Sequence, residues 1–192
     1  MLVLILGLII FLGVHSVRIF ADGWRRSTIS RLGDGPWKGI YSVASLVGFV
    51  LIIWGYGMAR QDPVLLWLPP MWLRHVAILL NLVAIVLFAA YVVPSGWLKA
   101  RLGHPMLLSV KVWAFAHLLA NSTLADLFLF GAFLVWAIAD FVANRRRDRA
   151  AGTVRIAGPL RNDAIAVVVG FAIWAALLWR VHEWVIGVSP LA

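Results

Sequence analysis

The chain has 192 residues, 63% of them hydrophobic, and a formal net charge of +9. It contains no cysteine, which excludes disulfides, thiolate nucleophiles, iron–sulfur ligation and covalent haem attachment through a C-x-x-C-H motif. The hydrophobic residues stand in long runs rather than at amphipathic spacing, and too little polar chain remains to cover them as the core of a soluble fold.

The first run covers residues 2–21. No basic residue precedes it and positive charges follow it, so it reads as a retained membrane helix rather than a cleaved signal. It carries His15 and Arg18, which are three apart and so on neighbouring parts of one helical face. An imidazole in hydrocarbon is a functional candidate by default, whereas Arg18 lies near the segment end and can snorkel to the interface. A basic loop leads to a second run at 40–59 and then a third at 73–93, in which Asn81 suits a hydrogen bond between helices.

The fourth run, 105–120, offers roughly 15 apolar positions and includes Lys111, so a tilted, short or re-entrant segment is expected. At ~100° per residue, His104 and Lys111 are nearly eclipsed, while His117 is turned away from His104. Trp113, His117 and Asn121 share a face at i, i+4 and i+8. His104 precedes Pro105 at the polar start of this helix. Thr123 and Asp126 resemble a capping box, which makes the fourth run and the fifth, 124–143, an antiparallel hairpin. Residues 144–162 read as a polar loop with a Gly158-Pro159 turn, and the sixth run follows at 163–187. Trp24, Trp37, Trp72, Trp97 and Trp184 fall near segment ends as an interface belt, while Trp54, Trp113, Trp136, Trp174 and Trp179 lie deeper.

The charges alternate from loop to loop. Arg25, Arg26, Arg31 and Lys38 fill the first loop, Lys99 and Arg101 the third, and Arg145, Arg146, Arg147, Arg149, Arg155 and Arg161 the fifth. The second has only Arg60 and Arg74 at its edges, and the fourth and the C-terminal tail have none. By the positive-inside rule the basic loops are cytoplasmic and both termini external. The net charge is then topogenic and meets anionic membrane lipids rather than nucleic acid. The expected fold is all-α: a single-domain polytopic membrane helical bundle over residues 1–192, with about six transmembrane helices.

Two intramembrane imidazoles on separate helices, His15 and His117, are the smallest set that can hold a metal centre between helices. The chemistry they suit is b-type haem ligation, with both as axial ligands to iron and Arg18 and Lys111 as cations for the propionates. The other reading is a pair of neutral structural histidines hydrogen-bonded between helices. His15 lies ~9 Å from its cytoplasmic helix end and His117 ~18 Å from its own. Tilt or a short fourth segment would bring them to one depth.

The chain resembles the NnrU family of bacterial membrane proteins over nearly its whole length. The matching stretches are His15-Ser16-Val17-Arg18, the run from Gly33 to Ser42, Trp54-Gly55-Tyr56-Gly57, and His104-Pro105-Met106-Leu107 continuing through Lys111 to Asn121. That family is similar to plant 15-cis-zeta-carotene isomerase, a membrane haem b enzyme. The resemblance implies that the haem-ligand histidines fall on His15 and His117, and the His-Pro histidine on His104. This chain departs from the pattern at Ala114, where the isomerase has an alternative cysteine ligand, and at Gly103, where the wider group often has arginine. The implied function is haem-dependent redox, sensing or isomerisation in the bacterial inner membrane, linked to nitric oxide respiration, with a small apolar or gaseous ligand. Two other classes fit parts of the sequence. A non-catalytic assembly subunit needs none of the histidines. A membrane S-adenosylmethionine-dependent methyltransferase also carries a His-Pro motif before a helical hairpin, but here Asp148 is the only acid between Arg145 and Arg161.

Overall fold

In hydrocarbon a backbone amide has no water to bond, so each long apolar run must satisfy its own peptide groups as a helix. The computed structural model describes residues 1–191 and follows this rule. The helices are α1 (Leu2–Phe20), α2 (Asp22–Leu32), α3 (Asp34–Ala59), α4 (Met71–Val92), α5 (Trp97–Leu102), α6 (Pro105–Ala120), α7 (Leu124–Ala150) and α8 (Leu160–Ala176). A π-helical turn, Leu177–Val181, carries α8 into α9 (His182–Ile186). The chain is all-helical and polytopic. Among the described residues five helical segments are long and apolar enough to cross a membrane: α1, α3, α4, α7 and the continuous stretch Leu160–Ile186. Large apolar side chains such as Ile9, Leu46, Leu79, Val135 and Val168 are exposed along them, as a lipid-facing surface requires. The fourth expected run is α6, whose 16 residues span about 24 Å, the short segment foreseen from its composition.

The elements differ from the sequence reading at polar positions. The first basic loop is largely helical, as α2, and buries none of its residues. The α3 helix begins at Asp34, with the acid in its first turn facing the positive end of the helix dipole. Arg145, Arg146, Arg147 and Arg149 belong to α7 rather than to a loop. Arginine is a good helix former and favours the last turn, so the helix runs past the apolar stretch to Ala150.

By their contacts the residues group into two compact units. The first comprises Met1–Trp67 and Ser122–Asp140, and so holds α1, α2, α3 and the first part of α7. Its main contact is α1 on α3, made through glycine. A Cβ on Gly7 would stand 2.6 Å from the Ile52 nitrogen, one on Gly48 2.7 Å from the Phe11 nitrogen, and one on Gly55 would run into the Leu4 backbone. The two backbones therefore touch, which is how membrane helices gain dispersion energy where lipid removes any water-driven force. Residues 64–66 are not helical. Leu66 N–H donates to Ser122 O at 2.8 Å, and Leu124 N–H to Val64 O at 2.9 Å, pinning this connection to the start of α7.

The second unit comprises Leu68–Asn121 and the chain from Phe141 onward. Here α4 is the centre, packed on α6 and α8; Ala89 and Ala90 of α4 cluster with Ala166 of α8, and a Cβ on Gly170 would stand 2.8 Å from Val86. Its polar end is closed by hydrogen bonds. The Asp163 carboxylate accepts from the Trp97 and Leu98 amides at 2.7 and 3.0 Å, capping α5. Lys99 Nζ donates to the Tyr91 and Val93 carbonyls at 2.6 and 3.2 Å, at the end of α4.

Candidate functional site

In the first unit His15 is held by its own helix and by a wall of rings. Its Nδ1 lies 2.7 Å from the Phe11 carbonyl oxygen, one turn back on α1. A carbonyl only accepts, so Nδ1 carries the proton, and in the neutral ring Nε2 bears the lone pair. Among the described residues no group hydrogen-bonds to that Nε2. Around the imidazole stand Phe11 at 4.3 Å between ring centroids, Tyr41 at 5.3 Å and Trp136 edge-on at 6.0 Å, from α1, α3 and α7. The Trp136 indole nitrogen is buried and has no hydrogen-bond partner among the described residues. Trp136 also lines a groove of about 460 Å³ with Leu12, Ser16 and Phe20 of α1 and Gly131 and Val135 of α7. Arg18, one turn beyond His15, is exposed.

In the second unit His117 repeats this anchoring. Its Nδ1 lies 2.8 Å from the Trp113 carbonyl, and the Asn121 side-chain amide donates to the His117 carbonyl at 2.8 Å. The Trp113 and His117 rings are 5.1 Å apart. The i, i+4, i+8 face expected from the spacing is thus a single ladder on α6, and again Nδ1 must donate, leaving the lone pair on Nε2.

His104 is held differently. Its Nε2 is 2.7 Å from Asp148 Oδ2, and Arg155 Nη2 reaches the same oxygen at 2.7 Å and lies 3.3 Å from the imidazole nitrogen. A carboxylate flanked by two donors stays ionised, so Nε2 of His104 carries its proton. Asp148 lies past the apolar part of α7. Partial burial alone would raise its carboxyl, but hydrogen bonds from Arg155 and then His104 outweigh it and hold the group below the usual carboxylate range. The Phe141 ring joins the two eclipsed residues of α6. Lys111 Nζ sits 3.8 Å from its centroid, and His104 meets it edge-on at 6.1 Å. Gly103, at φ +79°, has no side chain, and Arg155 Nη1 and Arg145 Nη1 stand 3.2 and 3.4 Å from where its Cβ would be.

The residues singled out by sequence therefore fall into three sets. His15, with Arg18 one turn away, belongs to the first unit; Trp113, His117 and Asn121 form one ladder in the second; His104 and Lys111 share Phe141. Tyr41, Trp136, Phe141, Asp148 and Arg155 were not anticipated as their neighbours. Of these, Asp148 carried a signal as the lone acid in a basic stretch, and Trp136 as one of the tryptophans set deep in an apolar run. Among the described residues no group of three or more His, Cys, Asp or Glu side chains clusters as a metal site.

Comparison with curated proteins and with solved structures yields no match. The model of one family, described as NnrU protein, matches residues 3–190 and so covers both units. The chain belongs to the NnrU protein family.

Proposed function

We propose that this chain is a bacterial inner-membrane protein that binds haem b, whose iron His15 and His117 would hold. Its role is haem-dependent redox, sensing or isomerisation in support of nitrogen-oxide respiration. The observation that carries the proposal is the shared anchoring of the two imidazoles. Each donates Nδ1–H to the carbonyl one turn back, at 2.7 Å for His15 and 2.8 Å for His117. That bond fixes the ring and its tautomer, as is usual for histidines that ligate metals. The unpartnered Trp136 indole N–H beside His15 also fits a bound group that brings an acceptor.

When bound, the haem would supply an iron centre able to exchange one electron or to take a small gaseous ligand such as nitric oxide. The chain's own residues do the rest. Phe11, Tyr41 and Trp136 keep water from the His15 imidazole, while Trp113 and Asn121 hold the backbone and ring of His117. Arg18 and Lys111 are the cations proposed for the propionates.

The test is the absorption spectrum of protein purified from haem-replete cells, oxidised and reduced. The expected result is a Soret band that is lost or shifted in His15→Ala and in His117→Ala. A purified protein without the band, or variants whose spectra match the parent, overturns the proposal.

A further inference from the structure

We propose that Arg145 and Arg155, side by side at Gly103, form a receptor for a phosphate oxyanion at the polar end of α7. Both Nη1 atoms lie within 3.4 Å of the single point where a Gly103 Cβ would stand, so the two guanidiniums are neighbours. Like charges that close raise one another's energy unless an anion sits with them. The protein supplies one carboxylate, Asp148, and it is spent on Arg155 through Nη2 and on His104. Arg145 has no acid partner among the described residues. One guanidinium charge of the pair is left uncompensated by the chain itself.

The geometry also selects the ligand. Asp148 takes one nitrogen of Arg155 and leaves Nη1 turned to Gly103, beside Nη1 of Arg145. Two planar forks with spare N–H groups suit the several oxygens of phosphate better than a single-point anion. Glycine is the residue that leaves this space open, and at φ +79° a side chain would be strained there as well as obstructive. Arg145 is exposed and accessible, whereas Arg155 and His104 are largely covered and so positioned in advance. The site lies just past the apolar part of a membrane-crossing helix, the level at which phospholipid phosphates lie. The phosphate belongs either to an anionic lipid headgroup or to a free phosphate compound.

The test uses the full chain in lipid nanodiscs, reading the midpoint of thermal unfolding. In one arm, phosphatidylcholine discs are titrated with inorganic phosphate against sodium chloride at equal ionic strength. In the other, phosphatidylglycerol is raised stepwise in phosphate-free buffer. The expected result is a saturable rise in at least one arm, with half-saturation moved by roughly tenfold or more in Arg145→Gln. A rise in the first arm assigns the free compound; a rise in the second alone assigns the lipid. Arg146→Gln, which changes the neighbouring exposed arginine, should leave the curve in place. Arg145→Lys, which keeps the charge and loses the fork, should weaken it by several fold and serves if Arg145→Gln does not fold. The absence of a saturable rise in both arms overturns the proposal. So does an Arg146→Gln effect equal to that of Arg145→Gln, which would reduce the attraction to net charge.

Discussion

The two ends of α7 each carry an aspartate, and the two do opposite work. At the start, Asp126 is 5% exposed and closes a cap. Its Oδ2 accepts from the Thr123 amide at 2.9 Å and hydroxyl at 2.6 Å, the Asp126 amide returns a bond to Thr123 Oγ1 at 3.2 Å, and Tyr56 donates to Oδ1 at 2.5 Å. An acid here also faces the positive end of the helix dipole. At the far end Asp148 sits where that dipole is unfavourable to it, and it is held only because Arg155 and His104 converge on one oxygen. The first carboxylate caps its own helix and takes one distant donor besides, whereas the second bonds only to side chains from outside its helix. The lesson is that residue type and helix membership do not fix a role; the end of the dipole and the reach of distant donors do.

The contrast can be broken most forcibly at the first end. Asp126→Ala removes the cap, strands the Tyr56 hydroxyl and leaves a gap, and is expected to lower stability by about 3 kcal/mol. A denaturation midpoint within error of the parent would show that the cap is dispensable. Tyr56→Phe removes one donor and leaves the Thr123 bonds to the carboxylate, so about 1 kcal/mol is expected. A loss as large as that of Asp126→Ala would instead place the weight on the tyrosine bond. Asp148→Asn should have the smallest effect at neutral pH, about 1 kcal/mol or less, because the cluster is partly solvated.

The pH dependence sharpens this last case. The Asp148 carboxyl is held below its ordinary range in the folded chain, so its contribution is present above the ordinary carboxylate value and is lost as pH falls through the lowered one. The acid limb of the stability profile should therefore be flatter in Asp148→Asn than in the parent. Superimposable acid limbs would deny Asp148 that role.

The same contrast explains what was readable in advance. The Thr123–Asp126 box is local, three residues apart, and its spacing was sufficient; Tyr56, 70 residues away, was not foreseeable from it. The membrane helices were legible because hydrocarbon leaves an apolar run no alternative to helix. The α2 helix and the basic end of α7 were not, since their helicity rests on propensity and dipole rather than on apolar runs. His15 and His117 stood out as imidazoles in apolar sequence, and the Trp113–His117–Asn121 face followed from helical spacing. The partners of His104 did not, because Asp148 and Arg155 lie 44 and 51 residues away.

The glycine-to-backbone seam between α1 and α3 carries a thermal consequence. Packing that depends on expelling water loses strength on cooling. Where Gly7, Gly48 and Gly55 let main chain meet main chain within lipid, no hydration shell is released, and the attraction is dispersion at shortest range. This helix pair should therefore keep its grip in a chilled bilayer, where a water-driven contact would slacken.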